Sequence, residues 1–157
     1  MRLFAILSCA AAVIVACGKG DSKADSAAAA PAAMTPPPPK PIALADVAGK
    51  WNVKGMNETG DSTLATYVLV ATADTTGWTI TFPNRKAIPV RVGPVAGDSI
   101  VIDAGPYESV LRRGMQVTTH GALRLQNGML VGMSTAHYKT TKPDSVRRVK
   151  TEGMRAP

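Results

Sequence analysis

The sequence predicts an all-β domain over residues 42–157, an antiparallel barrel or sandwich of about eight or nine short strands. Three observations carry this expectation. Apolar residues recur with a period of two, as in Trp51 and Val53 around Asn52, or Trp78, Ile80 and Phe82 between threonines. Residues with turn chemistry break the pattern at even spacing. Past residue 41, only the stretch from Ile42 to Ala48 suits a brief helical turn.

The strands follow in order. The first holds Trp51 and Val53, the second spans residues 64–73 and the third 78–82. Ile88, Val90 and Val92 mark the next, then Ile100 and Ile102, then residues 107–112, 115–125, 129–138 and 145–150. Between them stand Asn57-Glu58-Thr59-Gly60-Asp61, Asp74-Thr75-Thr76-Gly77, Pro83-Asn84, Gly97-Asp98, Gly105-Pro106, Asn127-Gly128 and Pro143-Asp144. Asn57-Glu58-Thr59 also fits a glycosylation sequon, but a turn accounts for it. The sharpest local expectation is a hairpin at Asn127-Gly128, where both residues accept the positive φ of a two-residue type I′ turn. That turn pairs Gln126 with Met129, Leu125 with Leu130 and Leu123 with Gly132. It puts Val117, Thr119, Gly121, Leu123, Leu125, Leu130, Gly132, Ser134, Ala136 and Tyr138 inside.

Gly49-Lys50-Trp51, after the short lead-in LADVA, resembles the G-x-W signature of lipocalins and related calycin barrels. The resemblance implies a closed up-and-down barrel with Trp51 as the plug of one end. It also implies a late basic residue packed over the indole, a cation–π contact of about 0.5–2 kcal/mol. Arg147 and Arg148, on the last expected strand, are the candidates. The domain also resembles short β-modules of bacterial envelope proteins.

The first 41 residues read differently. Arg2, an apolar run of about 14 residues and a small residue before Cys17 form an export signal, too short for the roughly 20 residues of a spanning helix. Ile14-Val15-Ala16-Cys17 resembles the bacterial lipobox, which implies cleavage before Cys17 and acylation of its thiol. Residues 1–16 are then the signal peptide, and Cys9 leaves with it. No second thiol remains for a disulfide. Residues 17–41 form a lipidated cysteine and an Ala/Pro-rich tether that cannot bury enough surface to order itself. Extended, the tether reaches roughly 70 Å. In enterobacteria-like lipoproteins an aspartate after the cysteine signals inner-membrane retention. Gly18 stands here, which implies the outer membrane, on its periplasmic or surface side.

Chemical signatures are sparse. His120 and His137 fall on the outward face of the hairpin, and a metal needs three or four ligands; two surface histidines and no bound metal are expected. The carboxylates sit in or beside turns, where aspartates usually bond their own backbone. The serines stand outside any nucleophile elbow, and no phosphate-cradling glycine loop occurs. No enzyme and no cofactor is expected, with a hydrolase the least favoured alternative. The formal charge is +7, about +6 once Arg2 is removed. Export argues against nucleic acid as the partner and for anionic lipid headgroups or an envelope protein. The methionines read as signal, linker and core filler. With 4 % aromatic residues and short loops, a filled interior is expected. The reading is a membrane-anchored envelope lipoprotein presenting a small barrel as a binding module. The alternative is a carrier of a small apolar ligand, which needs a cavity of roughly 300 Å³ or more.

Overall fold

The computed structural model describes residues 41–157. The expected signal peptide, Cys17 and the expected tether up to residue 40 lie outside the described residues. Eight strands close a barrel in which every strand pairs with its chain neighbours and the last returns to the first. All pairings are antiparallel. The topology is consistent with the lipocalin-like expectation.

A single helical turn, α1 (Leu44–Val47), leads in. Its start is held by the Asp46 carboxylate, which accepts from the Ala43 amide at 3.1 Å. The strands are β1 (Gly49–Met56), β2 (Thr63–Ala71), β3 (Thr79–Thr81), β4 (Ile88–Ala96), β5 (Ser99–Glu108), β6 (Gln116–Gln126), β7 (Met129–Tyr138) and β8 (Val146–Arg155). Alternation does what it should in β1, where Trp51, Val53 and Gly55 are buried and Lys50, Asn52 and Lys54 are exposed.

The β6–β7 hairpin forms in the expected register, from Gln126 opposite Met129 to Val117 opposite Tyr138. Asn127 and Gly128 take φ of 52° and 76°, as a type I′ turn requires. The expected inward face is buried at Val117, Gly121, Leu123, Leu130, Ala136 and Tyr138. Leu125 is the exception. It sits two residues from the turn and is exposed, although Leu130 opposite it is buried in the core.

Two sequence expectations are corrected. Residues 107–112 are not a separate strand, because β5 runs through Gly105-Pro106 to Glu108 with a bulge between Ala104 and Tyr107. Gly105 has φ of 112°, and a side chain there would meet the Val117 carbonyl 2.7 Å away. The glycine that looked like a turn therefore permits the close approach of the paired strand β6 at a bulge. The last strand also runs past Lys150 to Arg155, since it must span the barrel wall to pair with β1 as far as Trp51.

The interior is packed unevenly along the barrel axis. At the end where the chain enters, Val47, Trp51, Val53, Leu69, Trp78, Ile100, Leu123 and Leu130 form one core. Toward the other end, Val117, Ala136 and Tyr138 form a second, smaller cluster with Tyr107 and Met115 against it.

Candidate functional site at the two ends of the barrel

The closed end is built around Trp51, which is wholly buried. Its indole Nε1 donates to the Val47 carbonyl at 2.8 Å, so α1 is tied to β1. The Arg155 guanidinium lies 4.5 Å from the Trp51 ring centre. Its Nη1 and Nη2 donate to the carbonyls of Ala48 and Asp46, each at 2.7 Å. Gly49 is obligatory here, because its φ is 135° and a Cβ would lie 2.7 Å from Arg155 Nη1. Trp51 is thus buried at the end where the chain enters, and the cation over its ring is Arg155, not Arg147 or Arg148. Arg147 and Arg148 stand opposite Ala136 and Thr135 near the start of β8, far along the strand from Trp51. Arg148 pairs with Glu58 at 3.3 Å across exposed surface. The signal that identifies Arg155 is register: a last strand antiparallel to β1 brings its final residues, not its first, to Trp51.

At the opposite end lies a cavity of about 90 Å³. Gly55, Ala65, Ala104, Gly121, Ser134 and Ala136 leave the space. Tyr67, Tyr107, Tyr138, Thr119 and Thr151 bring hydroxyls to its wall, and Leu64, Val110 and Leu111 close over it. Tyr67 and Phe82 rings meet at 5.4 Å, and Phe82 and Tyr107 at 5.8 Å, both tilted. Burial pushes the Tyr67 hydroxyl up to about 12, with the neighbouring Thr151 hydroxyl pulling the other way. Tyr107 is raised for the same reason, against the pull of Thr119. Both phenols are neutral donors at any physiological pH.

The loops over this cavity are pinned by two arginines. Arg112 lies 4.2 Å from the Tyr138 ring centre and bonds the Asp144 carbonyl and carboxylate, each at 2.9 Å. It thereby joins loop 109–115 to loop 139–145. Arg85 Nη1 donates to the Glu108 carbonyl at 2.6 Å, joining loop 82–87 to the end of β5. Ser109, itself buried, accepts from the amides of Leu111 and Arg112 at 3.1 Å. In loop 57–62 the Asn57 side chain accepts from the Gly60, Asp61 and Ser62 amides. Hydrogen bonds from Asn57 and Thr59 hold Asp61 below the usual carboxylate range.

The histidines lie where the hairpin register puts them, His120 opposite Thr135 and His137 opposite Thr118, both exposed. His120 Nδ1 is 2.8 Å from Asp103 on β5, a partner that hairpin reasoning alone misses. Among the described residues no three His, Cys, Asp or Glu side chains are grouped to hold a metal. Among them, too, no helix is long and apolar enough to cross a membrane. Among the described methionines, Met56 is buried and Met115 packs against the Val117–Tyr138 cluster as core filler; the other three differ. Met129, Met133 and Met154 are on the outer wall and exposed, because their strand parity points them outward. No family model, curated protein or solved structure matches this chain.

Proposed function

We propose that this chain is a lipid-anchored binding module of a bacterial cell envelope. Cys17 carries the lipid and, from Gly18 after it, the anchor sits in the outer membrane. Residues 17–41 are the tether, and the barrel offers its outer wall and loop end to a partner. The observation that carries the choice of surface over interior is the cavity. Its volume of about 90 Å³ is well below the roughly 300 Å³ at which small-molecule pockets begin. Large residues fill the end where the chain enters, and Leu64, Val110 and Leu111 line the cavity near the loops. In this reading the barrel is a rigid frame for the surface it presents.

The anchor has its own support in the sequence. Isoleucine stands three before Cys17 and alanine directly before it, at the end of an apolar run. Two or three acyl chains make attachment stable where one does not. Metabolic labelling with an alkynyl fatty acid tests it. Wild type takes up label and the Cys17→Ser chain does not; an unlabelled wild type removes the anchor from the account.

A second reading, the carrier of a small apolar ligand, is favoured by one feature. The cavity wall is mostly apolar with a few inward hydroxyls, the composition of a ligand pocket. Recovery of a stoichiometric small molecule with the barrel would replace the first reading with this one.

A further inference from the structure

The connections at the two ends of the barrel carry opposite charge. At the end where the chain enters, the connections and α1 hold Asp46, Asp74 and Asp98, and among the described residues no basic side chain. The four loops at the other end hold Arg85, Lys86, Arg112, Arg113, Lys139 and Lys142 against Glu58, Asp61 and Asp144. The acids of that end are already engaged. Glu58 takes Arg148, Asp144 takes Arg112, and Asp61 is held within its own turn by Asn57. The exposed side chains of Lys86, Arg113, Lys139 and Lys142 form no ion pair among the described residues. Val146, half exposed, stands at the start of β8 beside them.

These cations do not hang on loose loops. Arg85 fastens loop 82–87 to the end of β5, and Arg112 fastens loop 109–115 to loop 139–145. Three adjacent loops therefore form one frame, with buried or bonded arginines as ties and outward lysines and Arg113 as the presented charge. Strand residues near the opposite end add Lys50 and Arg124, but Arg155 is spent on the Ala48 and Asp46 carbonyls.

We propose that the loop end of the barrel is a docking face for anionic lipid headgroups. Charge complementarity favours such a surface, since a bilayer of acidic lipids meets all four loops at once, and an exposed valine among cations suits its interface. The face lies at the opposite end of the barrel from Ile42, whose amide N–H donates a hydrogen bond to the Gly97 carbonyl at 3.1 Å. A tether of roughly 70 Å when extended exceeds the length of a ten-residue strand, about 33 Å. The face is thus free to meet a bilayer without strain on the anchor. This inference rests on the reading of the barrel as a binding module, not on the lipid at Cys17.

Residues 41–157 close their own hydrogen-bonded barrel and core within a single compact unit, so they serve for the test. The barrel fragment is sedimented with vesicles of phosphatidylcholine containing phosphatidylglycerol and with phosphatidylcholine alone, at low and physiological salt. Binding is expected only to the anionic vesicles and weakens as salt shortens the screening length. Replacing Arg113, Lys139 and Lys142 together by Gln lowers it by on the order of a hundredfold, at roughly fivefold per cation. Replacing Lys50, Arg91 and Arg124 by Gln, an equal loss of charge elsewhere, changes it less than about threefold. Equal losses in the two triples would mean diffuse attraction and overturn the proposal. So would an absence of binding at low salt, or capture of an acidic polypeptide such as polyglutamate in preference to vesicles. Fatty-acid labelling is independent of these outcomes. Vesicle binding lost with labelling intact removes the docking face alone, and the reverse removes only the anchor.

Discussion

Removing the Arg155 side chain isolates the device that closes one end of the barrel. Arg155→Ala deletes a guanidinium 4.5 Å from the Trp51 ring and two 2.7 Å bonds to the Ala48 and Asp46 carbonyls. A cation–π contact of this kind is worth about 0.5–2 kcal/mol, and each bond from a charged donor about 1.5–3 kcal/mol when shielded from water. Arg155 is exposed, and water replaces much of what the carbonyls lose. A net cost of about 2 kcal/mol follows, which for a domain of this size lowers Tm by roughly 6–12 °C. Tryptophan fluorescence shifts to the red as water reaches Trp51. The matched control is Arg148→Ala, which breaks only the exposed pair with Glu58 and costs about 0–1 kcal/mol. Thermal melts of both variants with wild type decide the matter. If Arg155→Ala melts within a degree of wild type, or Arg148→Ala is as damaging, the reasoning about the closed end is wrong.

Alkaline pH should unfold the barrel through Tyr67. Its folded pKa of about 12 exceeds the ordinary value near 10, so between these values the unfolded chain has lost a proton that the fold retains. Stability is therefore full below pH 10 and falls by about 2 kcal/mol as pH rises toward 12. Tyr67→Phe should flatten that slope in denaturant titrations followed by circular dichroism. In the hairpin, Asn127→Ala places a β-carbon at φ of 52° and should cost about 1 kcal/mol in chemical denaturation. Ala136→Val adds two carbons beside the cavity and should leave vesicle binding by the loop end unchanged, with stability altered by no more than about 1 kcal/mol. A loss of binding in that variant would point to the interior as the working site.

The hairpin was legible because Asn127-Gly128 fixes both the turn and the register, and each later pair follows from it. The strand number was harder. Gly105-Pro106 has the composition of a turn, and only its pairing with β6 on either side reveals it as a bulge inside β5. Trp51 announced itself as a plug through Gly49 and its alternating neighbours. Its covering cation did not, because that assignment depends on where a strand ends across the barrel, a non-local fact. The same holds for Asp103 against His120, which β5 supplies from outside the hairpin. The polarity of charge was invisible in the total of +7. It arises because successive connections alternate between the ends of an up-and-down barrel, and the basic ones happen to share one end. The small residues that leave the cavity are likewise scattered over the strands and meet only when the barrel closes.

Native mass spectrometry of the protein extracted from its own membranes tests the central claim most directly. The predicted species is a chain beginning at Cys17, heavier by its acyl groups, with no small molecule retained in the barrel. A chain without acyl groups, or one that holds a stoichiometric ligand, would contradict the account.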